Sequence, residues 1–232
     1  MPIPVKAHTV AVTGPHKQFA VGWWATRFML SLCGLRAIYL TPRSPTISAP
    51  IHGVVVGGGD DIEPEHYGKI KTPSRQYDPE RDKLEMDIIR RAQADNIPIL
   101  GICRGAQLIN VVNDGTLFDD IRPLRQHTPN RLHFRPIKWV DLHGDSFLRK
   151  QLLADKIKVN SLHNQAIDKV GKNLNITGRD RDGFVQSIEG NNGFLLGVQW
   201  HPEYLPYSRL QRELFAYFAN AVKHSNKQLK PD

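Results

Sequence analysis

Gly101-Ile102-Cys103-Arg104-Gly105 closes an apolar run, Ile97–Ile102, and opens a helical one, Ala106–Val112. A chain that turns from a buried strand into a helix within so few residues needs a tight elbow, and its central residue stands at the tip. The glycines have a mechanical reason, because a larger side chain at either flank would collide with its neighbours. A cysteine placed there sits at the N-terminal end of a helix, where the dipole favours thiolate. The next backbone N–H, from Arg104, points to where an oxyanion would form. The competing reading is a buried structural cysteine beside two turn glycines, since cysteine is among the most buried residue types.

The surrounding pattern supports the elbow. Apolar runs at His8–Thr13, Ala37–Leu40, Gly53–Val56 and Ile97–Ile102 read as strands, and Phe19–Leu32, Pro79–Asn96 and Ala106–Val112 as helices. Their alternation is that of a doubly wound α/β sheet. From about Leu132 short strands follow at Lys138–Leu142, Lys156–Val159, Leu174–Thr177, Phe184–Ile188 and Phe194–Gln199. A last helix, Leu205–Val222, closes the chain. Ser44–Pro50 and Gly68–Pro79 read as long loops. Residues 1–232 are expected to form one domain, with 223–232 a frayed tail.

Composition narrows the alternatives. With 40% hydrophobic and 23% charged residues the chain reads as globular. The net charge of +8 is spread along the sequence, with a cluster only at Lys223–Lys230 and no RNA-binding aromatic signature, so nucleic acid is not the expected partner. Phe19–Leu40 is interrupted by Arg27, Gly34 and Arg36, so no membrane span is expected. Met1–Val12 carries no charged-then-apolar leader pattern. Two cysteines, Cys33 and Cys103, form neither a disulfide framework nor a zinc site, which suits a reducing cytosol. Cys33 reads as a core thiol.

A cysteine nucleophile needs a base and a group to orient it. Gly197-Val198-Gln199-Trp200-His201-Pro202-Glu203 supplies both. His201 follows an apolar strand, where α/β sheets place functional groups. Glu203, two residues on, is placed to accept from the imidazole N–H and hold its tautomer. Cys103, His201 and Glu203 are therefore the candidate triad.

Gly101–Gln107 together with Gln199–Glu203 resembles the class I glutamine amidotransferase superfamily, and more closely its gamma-glutamyl-gamma-aminobutyrate hydrolase branch. The same order of motifs includes Gly57-Gly58-Gly59 with Pro64 and Tyr67-Gly68, Gly115–Ile121, Val159–Gln165 and Asp182-Gly183. The resemblance implies a flavodoxin-like three-layer α/β sandwich with a mostly parallel central sheet and an additional small β region. It implies hydrolysis of a gamma-glutamyl amide through a thioester on Cys103, with no metal and no organic cofactor. The oxyanion hole would comprise the N–H of Arg104 and one from Gly58 or Gly59. Gln107, Ser161 and His163 would contact the small-molecule substrate, His163 equally well packing alone. Gln186 stands where the branch often has Glu. Trp23 and Trp24 read as core or helix-face residues, and Asp60, Asp61 and Glu63 as loop solvation or capping. Three functions stay open: a stand-alone hydrolase, a glutaminase subunit delivering ammonia to a synthetase partner, and a non-catalytic binding module. A cytoplasmic location is expected, and a homodimer is left open.

Overall fold

A computed structural model describes residues 8–17, 19–71 and 75–231. Part of the stretch read for a leader (1–7) and part of the Gly68–Pro79 loop (72–74) lie outside the described residues. In chain order the elements are β1 (Thr9–Thr13), α1 (Val21–Leu32), β2 (Arg36–Leu40), β3 (Gly53–Val56), α2 (Pro79–Ala94), β4 (Ile99–Ile102), α3 (Arg104–Val112), β5 (Leu117–Phe118), β6 (His133–Leu142), α4 (Phe147–Leu152), β7 (Lys156–Ser161), β8 (Ala166–Ile167), β9 (Leu174–Asp180), β10 (Val185–Gly190), β11 (Leu195–Val198) and α5 (Arg209–His224).

A nine-stranded sheet runs in the order β2-β1-β3-β4-β11-β10-β9-β6-β7. From β2 to β11 neighbours are parallel, and from β11 to β7 antiparallel. The late β strands thus extend the main sheet, and only β5 and β8 form a separate ribbon. Strand alternation builds the layers. Val10, Val12, Val55, Leu100, Ile102 and Val198 face a core shared with Met29, Leu30, Phe215 and Phe218 of α1 and α5. Ala11, Val54, Val56 and Ile99 face the opposite core, shared with Ile88, Ile89, Leu108 and Ile109 of α2 and α3. Each such side chain contributes roughly 1.5–3 kcal/mol of burial. The result is the expected three-layer α/β sandwich.

Two expectations need correction. The tail is docked rather than frayed: α5 reaches His224, and Ile51 and Leu229 exchange backbone bonds of 3.0 and 2.8 Å, with Leu229 buried. Glu63 is buried, not loop solvation. The helix α4, capped by Ser146, was not read from the sequence.

The first turns of α2 bury charge instead of apolar groups. Asp78 caps the helix by accepting from Arg81 N. Beyond it Arg81, Asp82 and Glu85 all lie against the sheet, at 1%, 0% and 0% exposure. The Arg104 guanidinium, also buried, pairs with both Asp82 and Glu85. Arg81 Nε donates to Glu85 Oε1 at 2.8 Å, and Thr13 Oγ1 donates to the same oxygen at 2.8 Å. Burial opposes ionisation of Glu85, but the two guanidiniums hold its carboxyl below the usual range. Burial prevails at Asp82, whose carboxyl is pushed up despite Arg104.

Removing one member of such a set strands the others. Arg104→Met is expected to lose about 3–5 kcal/mol of unfolding free energy in denaturant titration at neutral pH. A depressed carboxylate stabilises above its unfolded value of about 4.3 and loses that stabilisation as pH falls through its folded value. Without Arg104 both buried carboxylates lose a cation, so the deficit should be full at neutral pH and shrink as acid protonates them. An undiminished deficit in acid would contradict the pairing.

Candidate active site

β3, β4 and β11 are adjacent and parallel, so their carboxyl ends share one edge of the sheet. The glycine loop, the cysteine elbow and the His201 segment follow these three strands in turn. Cys103 has φ 52° and ψ −105°, a conformation unfavourable for a residue with a Cβ. Its N–H donates to Val198 O at 2.7 Å, and Gln107 N donates back to its carbonyl at 3.2 Å. The flanking glycines are required. A Cβ on Gly101 would lie 2.8 Å from Ala106 N, and one on Gly105 would collide with the carbonyl of Val56.

His201 lies beyond β11 with its backbone gripped at both ends by one side chain. Asn160 Oδ1 accepts from His201 N at 2.8 Å, and Asn160 Nδ2 donates to His201 O at 2.9 Å. His201 Nδ1 donates to Glu203 Oε1 at 2.7 Å, which leaves Nε2 for the thiol. Tyr204 stacks on the ring at 5.1 Å. Burial works against charge on this imidazole. The Glu203 carboxylate and then the neighbouring Cys103 outweigh it, raising the His201 pKa well above its ordinary value.

The glycine loop closes the third side. A Cβ on Gly58 would lie 2.6 Å from His201 Cε1, so only glycine fits beside the ring. Arg81 Nη2 donates to the carbonyls of Gly57 (3.2 Å) and Gly58 (2.9 Å). In a trans peptide the N–H points opposite the carbonyl. The N–H groups of Gly58 and Gly59 therefore face away from Arg81. A cavity of about 400 Å³ opens against this loop and His201, and its wall includes Trp23. Trp23, stacked on Tyr39 at 4.7 Å, packs half-buried against the core and also lines this cavity. Trp24 is exposed.

The structure thus gathers Cys103, Arg104, His201, Glu203, Gly58 and Gly59. Gln107 stands one step behind: its Nε2 donates to Gln199 Oε1 at 3.0 Å, and Gln199 Nε2 reaches Cys103 Sγ at 3.5 Å. Ser161 follows Asn160, which grips His201, and it also borders a separate small cavity with His133, Lys138 and Trp139. His163 is buried, with Nδ1 donating to Gln165 O at 2.8 Å and Nε2 3.5 Å from Lys138 Nζ. Burial, then Lys138, pushes its pKa well below the ordinary value, so the imidazole is neutral. Glu63, His66 and Asp82 bring ligand atoms within 4.8 Å of one another. Lys71 already pairs with Glu63 and Arg104 with Asp82, so protein cations balance that cluster. Sequence reading missed Arg81, Asn160 and Gln199. The last two sit inside quoted motifs, but their partners lie far away in the chain.

A raised imidazole pKa means that His201 stays protonated above about pH 6.5, and its charge stabilises the fold most below that value. The contribution fades as pH rises through the raised pKa. Glu203→Gln is expected to move the His201 ring-proton titration, followed by NMR, to lower pH. An unmoved titration would show that another group holds the charge.

Residues 42–203 match the family model for Peptidase C26. The chain is similar to a Schizosaccharomyces pombe protein provisionally named a glutamine amidotransferase, with 35% identity over 201 residues, 82% of this chain and 78% of that one. It is similar to the gamma-glutamyl-gamma-aminobutyrate hydrolase of Escherichia coli K12, with 34% identity over 179 residues, 72% of this chain and 70% of that one. In fold it is similar to a glutamine amidotransferase of Thermotoga maritima, at a TM-score of 0.61 and 18% identity, with 91% of this chain and 90% of that one covered. The elbow geometry, the sheet order and these relatives agree: the chain belongs to the Peptidase C26 family, a class I glutamine amidotransferase-like group.

Proposed function

We propose that this chain hydrolyses gamma-glutamyl amides through a thioester on Cys103. One observation carries the reading: Cys103 stands at a strained strand-to-helix tip, hydrogen-bonded to His201 of the His201–Glu203 pair, at the shared edge of adjacent parallel strands. The relatives named as gamma-glutamyl-gamma-aminobutyrate hydrolases support the choice of bond.

The thiolate sulfur adds to the amide carbon, and the carbonyl oxygen takes the negative charge. The N–H of Arg104 and an N–H of the Gly58–Gly59 loop receive that oxyanion. The C–N bond breaks as the His201 imidazolium gives its proton to the leaving nitrogen. The glutamyl group stays on sulfur. Water then attacks the thioester, the now neutral His201 takes its proton, and the thiolate leaves. Glu203 keeps the imidazole in register throughout and stabilises its charged form. Gln199 and Gln107 support the sulfur side from behind. Arg81 is a positioning residue, since its guanidinium aims the glycine-loop peptides.

The isolated chain is expected to release amine from a substituted gamma-glutamyl amide with no partner present. Ammonia from glutamine only when a synthetase partner is added would instead indicate a glutaminase subunit. Cys103→Ala should abolish both turnover and covalent labelling by a diazo-ketone glutamine analogue; equal labelling would refute the assignment. Losing an oxyanion donor costs about 2.7–4 kcal/mol of barrier, and a loosened loop loses part of that. Arg81→Met should therefore lower kcat by about tenfold to hundredfold with KM changed far less. A matching rise in KM with kcat intact would show that Arg81 serves binding instead.

A further inference from the structure

The cavity beside His201 bears on which amine leaves, a question that rests on the gamma-glutamyl reading above. A general acid must reach the leaving nitrogen, so the substituent on that nitrogen extends past the imidazole. His201, Glu203 and the glycine loop form one wall of the 400 Å³ cavity. That volume falls within the range of small-molecule pockets.

Most of the remaining wall is apolar. Trp23 comes from α1 and Tyr39 from β2, Phe134 from β6, Leu162 from the segment after β7, and Tyr204 from the turn after His201. Trp23 and Tyr39 stack as one surface, and Phe134 lies 5.8 Å from Tyr204. Phe134 is also 65% exposed, an apolar ring held open at the rim. Among the described wall residues three carry charge: Lys17, Glu203 and the protonated His201. Lys17 Nζ pairs with Asp60 at 3.1 Å, and Glu203 is paired with His201. The His201 and Glu203 charges balance each other, and Lys17 is held by Asp60 at the solvent-exposed rim.

We infer that the amine released carries an uncharged apolar substituent, branched alkyl or aromatic, seated between Trp23 and Phe134. An anionic substituent such as that of gamma-aminobutyrate would have to lose water against these rings. A cationic one would face the same rings and the charged imidazole.

The test compares gamma-glutamyl-isopentylamide with the gamma-glutamyl amides of gamma-aminobutyrate and of 1,4-diaminobutane, with glutamine as the reference that has no substituent. The amines are of similar basicity, so leaving ability does not decide the order. With wild-type protein, kcat/KM for the isopentylamide is expected to exceed that for either charged amide by at least about tenfold. In Trp23→Ala the ratio of isopentylamide to glutamine should fall by about tenfold, and Trp23→Phe should restore most of it. Preference for a charged amide, or an unchanged ratio in Trp23→Ala, would overturn the pocket assignment while leaving the gamma-glutamyl chemistry standing. No turnover of any of the four compounds would remove the chemistry itself, and the pocket assignment with it.

Discussion

Four buried charges, Arg81, Asp82, Glu85 and Arg104, hold the edge of the sheet that carries the candidate site together. Desolvating each costs several kcal/mol, and only close, hydrogen-bonded pairing offsets that. Here Glu85 is shared by both guanidiniums and by Thr13, and Asp82 by Arg104 and the N–H of Glu63. The set ties α2 to the end of β1, to the elbow after β4 and to the glycine loop after β3. Arg104 is thereby used twice, its backbone N–H beside the sulfur and its side chain as the bolt beneath it.

That bolt explains how a residue with φ of 52° persists at the tip of a loop. Strain of this kind survives where the surroundings over-determine the conformation. Val198 receives the Cys103 N–H, Gly101 and Gly105 leave room for the turn, and Arg104 cannot rotate away. His201 is fixed just as firmly by Asn160 through its backbone and by Glu203 through its ring. The electrostatics follow from that arrangement: Glu203 keeps a proton on the imidazole before a substrate arrives.

Much of this was legible in the sequence because the elbow and the His-Pro-Glu segment are local patterns. Gly101 through Gly105 spell a strand, a turn and a helix within a few residues, and Glu203 lies two residues from the ring it orients. The charged face of α2 was not legible. Arg, Asp and Glu in the first turns of a helix ordinarily face water, and only β3 and α3 packed over them make that face an interior. Asn160 was hidden for a related reason, since its partner is 41 positions away and the contact exists only once the sheet has formed. The start of β6 was cut short because Pro136 reads as a strand breaker. The pairing with β7 absorbs it in a register irregularity between His133 and Lys138. That Trp23 also borders a cavity was not legible, because helical spacing reports which face is apolar, not whether that face meets protein or open space.

The claim that everything else serves is a covalent bond between Cys103 and the substrate's glutamyl carbon. Its most direct measurement is intact-mass spectrometry of protein acid-quenched during turnover of a gamma-glutamyl amide, followed by peptide mapping. A mass increase of one glutamyl group on the peptide containing Cys103, decaying as substrate is exhausted, is the predicted result. Continued amine release with no adduct on any residue at early times, and with undiminished turnover in Cys103→Ser, would contradict it.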